Sequence, residues 1–193
     1  MAGAVASLLP GGRCAPVKRH PALQDLSRDH FTALNRSLQV ARAVQGHPTA
    51  WPFPHAFAAF RALWDRDGLP AHFLEEETDL VPLLRAHGAA ALADRLLDEH
   101  ATLRTGFHGL DAHKPEQAAG VAEGLRAHAR WEEDVVFPWL QDNLSEAQLQ
   151  DLLARSRSFR GANALPIGPG APAAAPSDAA GPGTDPPGSA HLT

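Results

Sequence analysis

Two stretches of the chain repeat one arrangement of side chains that could bind a metal. His72 is followed four positions later by Glu76, and His128 is followed in the same way by Glu132. Because four positions are slightly more than one helical turn, the imidazole and the carboxylate of each pair project from the same face of a helix. One such pair is a common accident, whereas two in matching frames predict a shared site built from two helices.

The two stretches agree beyond the His-x3-Glu pair itself. A second glutamate follows directly in each, and a proline stands ten positions after the histidine: Glu77 and Pro82 in the first stretch, Glu133 and Pro138 in the second. A lone histidine inside an apolar helical row precedes each stretch, first His30 and later His100. The chain therefore contains an internal duplication, in which a lone histidine is followed by a His-x3-Glu pair.

Composition narrows the function classes. A chain of 193 residues with 44% hydrophobic residues predicts one compact domain with a real core. The formal charge of −5, without a long basic block, gives no reason to expect a nucleic-acid partner. Cys14 is the only cysteine, which excludes an internal disulfide and a cysteine-based zinc site. No apolar run approaches the ~18 residues of a membrane span, and the N-terminus is a poor secretory signal, so we expect a cytoplasmic protein.

Apolar residues recur at spacings of three and four over four long stretches, which predicts four main helices. We expect these helices at about 21–44, around His72, from about Ala89, and at about 116–142. The helix around His72 either kinks near Gly68-Pro70 or divides there, and Pro82 should disturb it again. A short last helix is expected from Ser145, where Ser145 and Gln148 fit a capping box.

Short connections between long amphipathic helices favour an all-α fold, an antiparallel up-down four-helix bundle with a short extra C-terminal helix. We expect residues 20–160 to form this bundle and residues 1–19 to be a disordered N-terminal extension. Residues 161–193 are rich in Pro, Gly and Ala with almost no large apolar side chains. Such a tail cannot bury enough surface to offset its ordering entropy, so we expect it to be disordered too.

Four imidazoles and two carboxylates should face the core of such a bundle, where buried polar groups must be paired or bound. They are His30, His72, Glu76, His100, His128 and Glu132. A cation removes the cost of burying them, and six mixed nitrogen and oxygen ligands are too many for one tetrahedral zinc. They suit two borderline metals, iron or manganese, bridged by Glu76 and Glu132, with two histidines for each metal.

The order of these motifs resembles the hemerythrin-like (HHE cation-binding) family over about residues 20–153. The matching pieces are Leu26-Ser27-Arg28-Asp29-His30, His72-Phe73-Leu74-Glu75-Glu76, Asp98-Glu99-His100 and His128-Ala129-Arg130-Trp131-Glu132-Glu133, with Pro82 and Pro138 closing the two repeats. The resemblance implies a four-helix bundle around two non-haem iron ions with an oxo or hydroxo bridge, manganese being the alternative metal. It also implies that the same six side chains are the ligands.

Members of that family include oxygen carriers, oxygen or redox sensors, and proteins that handle iron and nitric oxide during iron–sulfur cluster repair. Oxygen-carrying members place a second histidine one turn after the helix-3 ligand, where this chain has Arg104. This departure argues against reversible oxygen carriage and favours redox turnover or sensing. Arg104 is instead a candidate to pair with a bridging carboxylate or a bound anion.

Three functional hypotheses follow. The first is a di-iron protein that senses or reacts with oxygen, nitric oxide or peroxide, with an unidentified protein partner if it is a sensor. The second is an iron-handling or iron–sulfur cluster repair factor, against which the lone Cys14 counts. The third is a metal-free helical interaction module. The residues leave open whether the protein is an enzyme.

The remaining polar residues receive ordinary interpretations. Four acidic residues beside the ligands are expected on a solvated face or directly behind the ligands: Glu75, Glu77, Glu133 and Asp134. The other histidines are expected at the surface: His20, His47, His55, His87, His108, His113 and His191. By the family resemblance, Val17-Lys18-Arg19-His20-Pro21 also matches the start of close relatives, which suggests translation from Val17 rather than Met1.

Overall fold

A computed structural model describes residues 18–163. This part of the chain is helical and contains no strand, which confirms the all-α prediction and gives a packed helical bundle. The helices are α1 (Pro21–Val44), α2 (Phe53–Asp65), α3 (Leu69–Ala86), α4 (Ala90–His108), α5 (Pro115–Trp131), α6 (Phe137–Asn143) and α7 (Glu146–Asn163), with a π-helical segment (Glu132–Val136) between α5 and α6. Residues 1–17 and 164–193 lie outside the described part, and so do the predictions for Cys14, His191, the Val17 start and most of both tails.

The first helix begins and ends where its sequence signals place it. Pro21 occupies the first turn, where its missing N–H costs no intrahelical hydrogen bond. The ring nitrogen Nδ1 of His20 accepts a hydrogen bond from the N–H of Ala22 at 3.1 Å and so caps the helix. After Val44 the chain turns at Gly46, whose φ of 65° is in the left-handed region. The predicted span of 21–44 is confirmed.

The segment around His72 is divided into two helices, the second of the two arrangements that the sequence left open. Gly68 lies between α2 and α3 with φ of 89°, a conformation that favours glycine. Pro70 then stands in the first turn of α3. The helix α3 continues through Pro82 to Ala86 without a break, so the expected second disturbance is not seen there.

The predicted helix over 116–142 is wrong as one uninterrupted α-helix. It begins at Pro115 and is interrupted after Trp131 by the π-helical segment, in which the N–H of Phe137 donates to the carbonyl of Glu132 five residues earlier. Pro138 follows immediately and cannot donate to the carbonyl four positions back. One extra residue in this turn therefore lies directly after the ligand candidate Glu132, a location typical of π-bulges near functional sites.

The last helix is longer than the short helix that we predicted. Its expected capping box is present, because the N–H of Ser145 donates to Gln148 Oε1 at 2.9 Å and the N–H of Gln148 donates to Ser145 Oγ at 3.3 Å. The helix α7 then runs for 18 residues to Asn163, past the predicted boundary at residue 160. Its last turns dock through Ser156 and Arg160, two polar residues that a search for apolar periodicity does not count.

Two apolar clusters form the core, and along every ligand-bearing helix the candidate ligands lie near the change from one cluster to the other. The cluster at one end includes Leu26, Leu84, Leu96 and Phe137. The cluster at the other end includes Val40, Phe73, Phe107 and Leu125. Burial of such side chains is the main source of stability, at roughly 1.5–3 kcal/mol each, and it fixes the helices that hold the polar layer.

Among the described residues, no helix is both long enough and apolar enough to cross a membrane.

Candidate metal centre

The structure brings all six predicted ligands together in the interior. The helix α1 contributes His30, α3 contributes His72 and Glu76, α4 contributes His100, and α5 with the start of the π-helical segment contributes His128 and Glu132. All six are buried, and both glutamates have no exposed surface. Their candidate ligand atoms form two groups that share both glutamates, with atoms in each group no more than 4.8 Å apart.

We call the group of His30, His72, Glu76 and Glu132 the first half-site. In it, His30 Nε2 lies 3.0 Å from Glu132 Oε2, and His72 Nε2 lies 3.3 Å from Glu76 Oε1. We call the group of His100, His128, Glu76 and Glu132 the second half-site. Here His100 Nε2 lies 3.3 Å from Glu76 Oε2, and His128 Nε2 lies 3.3 Å from Glu132 Oε2. Each glutamate therefore faces both half-sites, as a bridging ligand must.

Each of the four imidazoles is held by a carboxylate on its outer nitrogen. The Nδ1 atoms of His30, His72, His100 and His128 lie 2.9, 3.1, 2.8 and 2.8 Å from oxygens of Glu133, Asp29, Glu77 and Glu99, respectively. An ionised carboxylate can only accept, so each Nδ1 carries a hydrogen and each Nε2 points inward. Such outer carboxylates fix the tautomer and orientation of metal-binding histidines and raise their basicity.

The outer carboxylates follow the internal duplication. Asp29 and Glu99, each directly before a lone histidine, bind the His-x3-Glu histidine of their own repeat. Glu77 and Glu133, each directly after a bridging glutamate, bind the lone histidine of the other repeat. The roles of Asp29 and Glu99 were not predicted; the available signal was that an acidic residue precedes the lone histidine in both repeats.

An arginine binds each outer carboxylate in turn. Arg19 lies 2.5 Å from Glu133 and Arg160 lies 2.8 Å from Asp29, both beside the first half-site. Arg104 and Arg95 each lie 2.7 Å from their partners, Glu77 and Glu99, beside the second half-site. Each histidine is therefore the inner member of an arginine–carboxylate–histidine series. Arg104 pairs with an outer carboxylate, whereas the sequence suggested a bridging carboxylate or a bound anion as its partner.

Two aromatic rings cover imidazole faces. The ring of Phe73 stacks on His100, with centroids 3.9 Å apart and planes 14° from parallel. The ring of Phe137 stacks on His30, with centroids 5.4 Å apart and planes 11° from parallel. Both phenylalanines are fully buried, so they exclude water from these faces and hold the imidazoles in place.

Burial and charge shift the pKa values of the inner groups in opposite directions. Burial, together with the neighbouring carboxylate of Glu132, raises the pKa of Glu76 well above its usual range. Burial also opposes the charge of Glu132, but the imidazoles of His128 and His30 outweigh it and lower the pKa of Glu132. Of these two buried carboxyls, Glu76 is thus the one that favours its protonated form, which avoids placing two negative charges side by side.

The pKa values of the candidate histidines are also shifted in opposite directions. Burial acts against a charge on His30, but the carboxylates of Glu132 and Glu133 outweigh it and raise its pKa to about 9. Burial is the largest cause that lowers the pKa of His72 and of His100. A cation that takes the inward lone pairs would therefore displace protons held by Glu76 and His30.

The inner atoms fit a cation better than they fit one another. Both side-chain oxygens of Glu76 and of Glu132, and Nε2 of His30, have no hydrogen-bond partner within residues 18–163. Unsatisfied buried polar groups are rare in proteins and require an explanation. His100 Nε2 also lies 3.1 Å from His128 Nε2, so two lone pairs face each other. A cation held by both nitrogens would account for so short a contact between two imidazoles that each donate through Nδ1.

The acidic residues flanking the ligands only partly match expectation. Glu77 and Glu133 lie directly behind the histidines, and Asp134 is exposed, as expected. Glu75 does not lie on a solvated face; it is 1% exposed and accepts a hydrogen bond from Ser156 Oγ at 2.6 Å. Burial raises the pKa of this carboxyl, although Ser156 and Arg160 act in the opposite direction. The sequence did not reveal that α7 covers this face of α3.

The described histidines outside the site mostly have the expected surface positions. Five are exposed: His47, His55, His87, His108 and His113. His20 is half-buried because it caps α1, and its Nε2 lies 3.4 Å from Glu146.

A groove of about 670 Å³ runs between α4 and α5 beside the second half-site. It is lined by Ala91, Asp94, Arg95, Asp98, Glu99, Thr102, Leu103, Gly124, Ala127 and His128. The groove therefore reaches both the ligand candidate His128 and the carboxylate that orients it. A second pocket, between α1 and α3 near His72, has a volume of only about 20 Å³.

Two overlapping His/Glu clusters in the core of a helical bundle define a class of helical cation-binding proteins. The family model described as the hemerythrin HHE cation binding domain matches residues 22–140, and the chain belongs to this family. The match includes all six candidate ligands and confirms the resemblance seen in the sequence. Comparison with curated proteins and with solved structures gave no match.

Proposed function

We propose that this protein binds two non-haem iron ions and uses them to sense or react with oxygen, nitric oxide or peroxide. The two half-sites hold the ions through His30, His72, His100 and His128, and Glu76 and Glu132 bridge them. The observation that carries the proposal is the set of four inward Nε2 atoms on imidazoles fixed by outer carboxylates, together with the four oxygens of Glu76 and Glu132, which lack hydrogen-bond partners in the described chain. Manganese is the alternative metal for such mixed ligands.

Two bound iron ions would supply one-electron redox chemistry and coordination positions for a small molecule. The protein's own part is to orient the imidazoles through Nδ1, so that each Nε2 faces the site, and to exclude water with Phe73 and Phe137. Each half-site offers two nitrogens and the two shared carboxylates. Position 104 holds an arginine, which pairs with Glu77, and not the second histidine of the oxygen carriers. This difference supports sensing or turnover over reversible oxygen carriage. A sensor would pass its signal to a protein partner.

An antiparallel up-down arrangement of α1, α3, α4 and α5 forms part of this proposal. Along α1 and α4, residues of the Leu26 cluster precede the ligand, and residues of the Val40 cluster follow it. Along α3 and α5 the order is reversed. Only residues 87–89 connect α3 to α4, and so short a connection favours antiparallel neighbours.

Iron handling is the second candidate, and the groove beside the second half-site favours it. Asp94, Asp98 and Glu99 line this groove together with His128. Carboxylates attract cations, so the groove suits iron entry and release. Exchange of one of the two irons with added labelled iron within minutes, without reaction with oxygen, nitric oxide or peroxide, would favour this function.

Metal content of the iron-loaded protein, with its near-ultraviolet spectrum, tests the proposal. We expect two irons per chain in the wild type. Glu132→Ala should lower bound iron by about half or more, since this carboxylate is shared by both half-sites. Glu123→Ala is the matched control, because Glu123 is exposed on the outer side of α5 and pairs only with Arg126 among the described residues.

Fewer than one metal per wild-type chain, without absorption bands of oxo-bridged iron, would contradict the proposal and favour a metal-free interaction module. Titration of the iron-loaded protein with oxygen, nitric oxide and peroxide then separates reversible binding from turnover.

A further inference from the structure

The helix α7 lies outside the residues matched to the family, yet it reaches the candidate metal centre. Its Ser156 Oγ donates to Glu75 Oε1 at 2.6 Å. Its Arg160 Nη2 lies 2.7 Å from Glu75 Oε2 and donates to Asp29 Oδ2 at 2.8 Å. Arg160 thus joins α7 to both α1 and α3 at one buried point.

The same oxygen of Asp29 that binds Arg160 also binds a candidate ligand. Asp29 Oδ2 accepts a hydrogen bond from His72 Nδ1 at 3.1 Å. The side chains of Arg160, Asp29 and His72 are 13%, 7% and 2% exposed. Because water has little access, it cannot easily take over either contact if the other is lost.

We propose that Arg160 is a positioning residue for His72, and that docking of α7 is coupled to metal binding at the first half-site. The guanidinium holds Asp29 in the place where its oxygen accepts from His72 Nδ1. Without it, Asp29 would be a buried charge free to turn, and His72 would lose its fixed orientation. Such outer partners typically change metal affinity by 10–100-fold when they are removed.

The second half-site has a different arrangement at the equivalent place. Glu99, which orients His128, pairs with Arg95 one turn earlier on the same helix, and the Arg95 side chain is 50% exposed. Solvent can replace an exposed guanidinium of this kind. The coupling therefore belongs to one half of the centre, and it depends on a helix that carries no metal ligand.

Arg160→Met tests this inference, and Arg155→Met is its matched control. Arg155 is also on α7 and also docks on a buried carboxylate of α3, with its Nε 2.9 Å from Asp79 Oδ1. Within residues 18–163, Asp79 makes its ion pair with Arg155 and none with a candidate ligand. Both substitutions remove one charged anchor of α7, but only the first removes the contact to Asp29.

The inference rests on the proposed di-iron function, so the wild type is measured first. Metal-free protein is titrated with ferrous iron under anaerobic conditions in competition with a colorimetric chelator. We expect two tight irons in the wild type and in Arg155→Met. We expect Arg160→Met to keep one tight iron and to bind the second about 10–100-fold more weakly. Arg160→Lys, which keeps the charge, should recover part of the loss.

The possible failures are distinguishable. A wild type that binds no iron would contradict the proposed function and this inference as well. A wild type with two tight irons and an Arg160→Met variant with the same two affinities would overturn this inference alone. Equal weakening in Arg160→Met and Arg155→Met would also overturn it, because docking of α7 in general would then be the cause.

A second measurement needs no variant and stays decisive if Arg160→Met does not fold. Coupling is reciprocal, so iron binding must stabilise the docked position of α7 if α7 strengthens iron binding. Hydrogen exchange of residues 146–163 in the wild-type protein should slow when ferrous iron is added. The helix α2, which contributes no candidate ligand, is the internal reference. Exchange in α7 that iron leaves unchanged, relative to α2, would contradict the coupling.

Discussion

The two half-sites arise from one duplicated motif, but the arginines that bind their outer carboxylates come from different parts of the chain. Beside the first, Arg19 precedes α1 and Arg160 lies in α7, both outside the family match at residues 22–140. These two side chains are 21% and 13% exposed. Beside the second, Arg104 and Arg95 both lie on α4, and their side chains are 34% and 50% exposed. The groove between α4 and α5 also reaches the second half-site, where His128 is the one candidate ligand that lines it.

This difference shows which features the duplication determines. The ligands and their outer carboxylates repeat from one half to the other, because both are placed by spacing along the repeated helices. The arginines do not repeat, because two of them come from segments that have no counterpart in the duplication. Breaking a buried ion pair is far more costly than breaking an exposed one. We therefore expect the first half-site to retain metal and the second to exchange it.

Removal of one histidine from each half gives the largest expected effect. His72→Ala and His128→Ala should each lower the bound iron from two ions to about one, because each removes one of only two nitrogens in its half-site. The iron left in His128→Ala would occupy the first half-site and should be released slowly to a chelator. The iron left in His72→Ala should be released faster. Metal analysis during dialysis against a chelator measures both.

Equal release rates in the two variants would remove the proposed difference between the half-sites. Loss of both irons from both variants would show instead that the shared glutamates hold neither ion without the full set of histidines.

Substitution of the outer carboxylates should have a smaller effect that is unequal between the halves. Asp29→Asn and Glu99→Gln each keep an oxygen that can accept from Nδ1 but remove the negative charge. We expect Glu99→Gln to weaken iron binding by about 10-fold and Asp29→Asn by closer to 100-fold. The reason is that Asp29→Asn also deprives the buried Arg160 of one of its two carboxylates. Competition with a chelator measures the affinities, and equal losses would contradict the comparison.

Much of the fold followed from the sequence because it depends on local spacing. The start of α1 at Pro21, the capping box at Ser145 and the four apolar rows are all set by neighbouring residues. The π-helical segment was not predicted, because the two repeats carry the same proline and only one of them widens its turn. The length of α7 was missed because it docks through polar contacts to residues far away in the chain.

The inner site was predictable for the same reason, and its surroundings were not. A His-x3-Glu pair places two side chains on one face, and His30 and His100 lie within apolar helical rows, so all six ligand candidates could be named from spacing. An acidic residue precedes the lone histidine in both repeats, but which histidines Asp29 and Glu99 bind depends on which helices are neighbours. Arg19 lies 114 positions from Glu133, and Arg160 lies 131 positions from Asp29. No local pattern encodes contacts at that range.

Narrowing of the groove should slow ligand access to the second half-site alone. Ala127 lines the groove and is exposed, so Ala127→Leu adds bulk there without disturbing the buried ligands. Azide should bind iron-loaded Ala127→Leu several-fold more slowly than the wild type, with unchanged iron content. Stopped-flow absorption measures the rate. Ala101→Leu, an exposed position on α4 that does not line the groove, is the control. Equal azide rates in all three proteins would show that ligands enter elsewhere.

The smallest expected effect tests whether the groove wall has room for another methyl group. A Cβ atom on Gly124 would lie 3.6 Å from Leu103 Cδ2, an ordinary contact, whereas on Gly106 it would lie 3.0 Å from Val121 Cγ2. Alanine is favoured over glycine in a helix by about 0.5–1 kcal/mol. Gly124→Ala should therefore stabilise the protein by up to about 1 kcal/mol, raising Tm by about 2–4 °C, with two irons still bound. Gly106→Ala should gain less because Val121 must move. Thermal unfolding of both variants measures the difference, and a destabilised Gly124→Ala would mean that α4 and α5 are packed more tightly beside the second half-site than the groove implies.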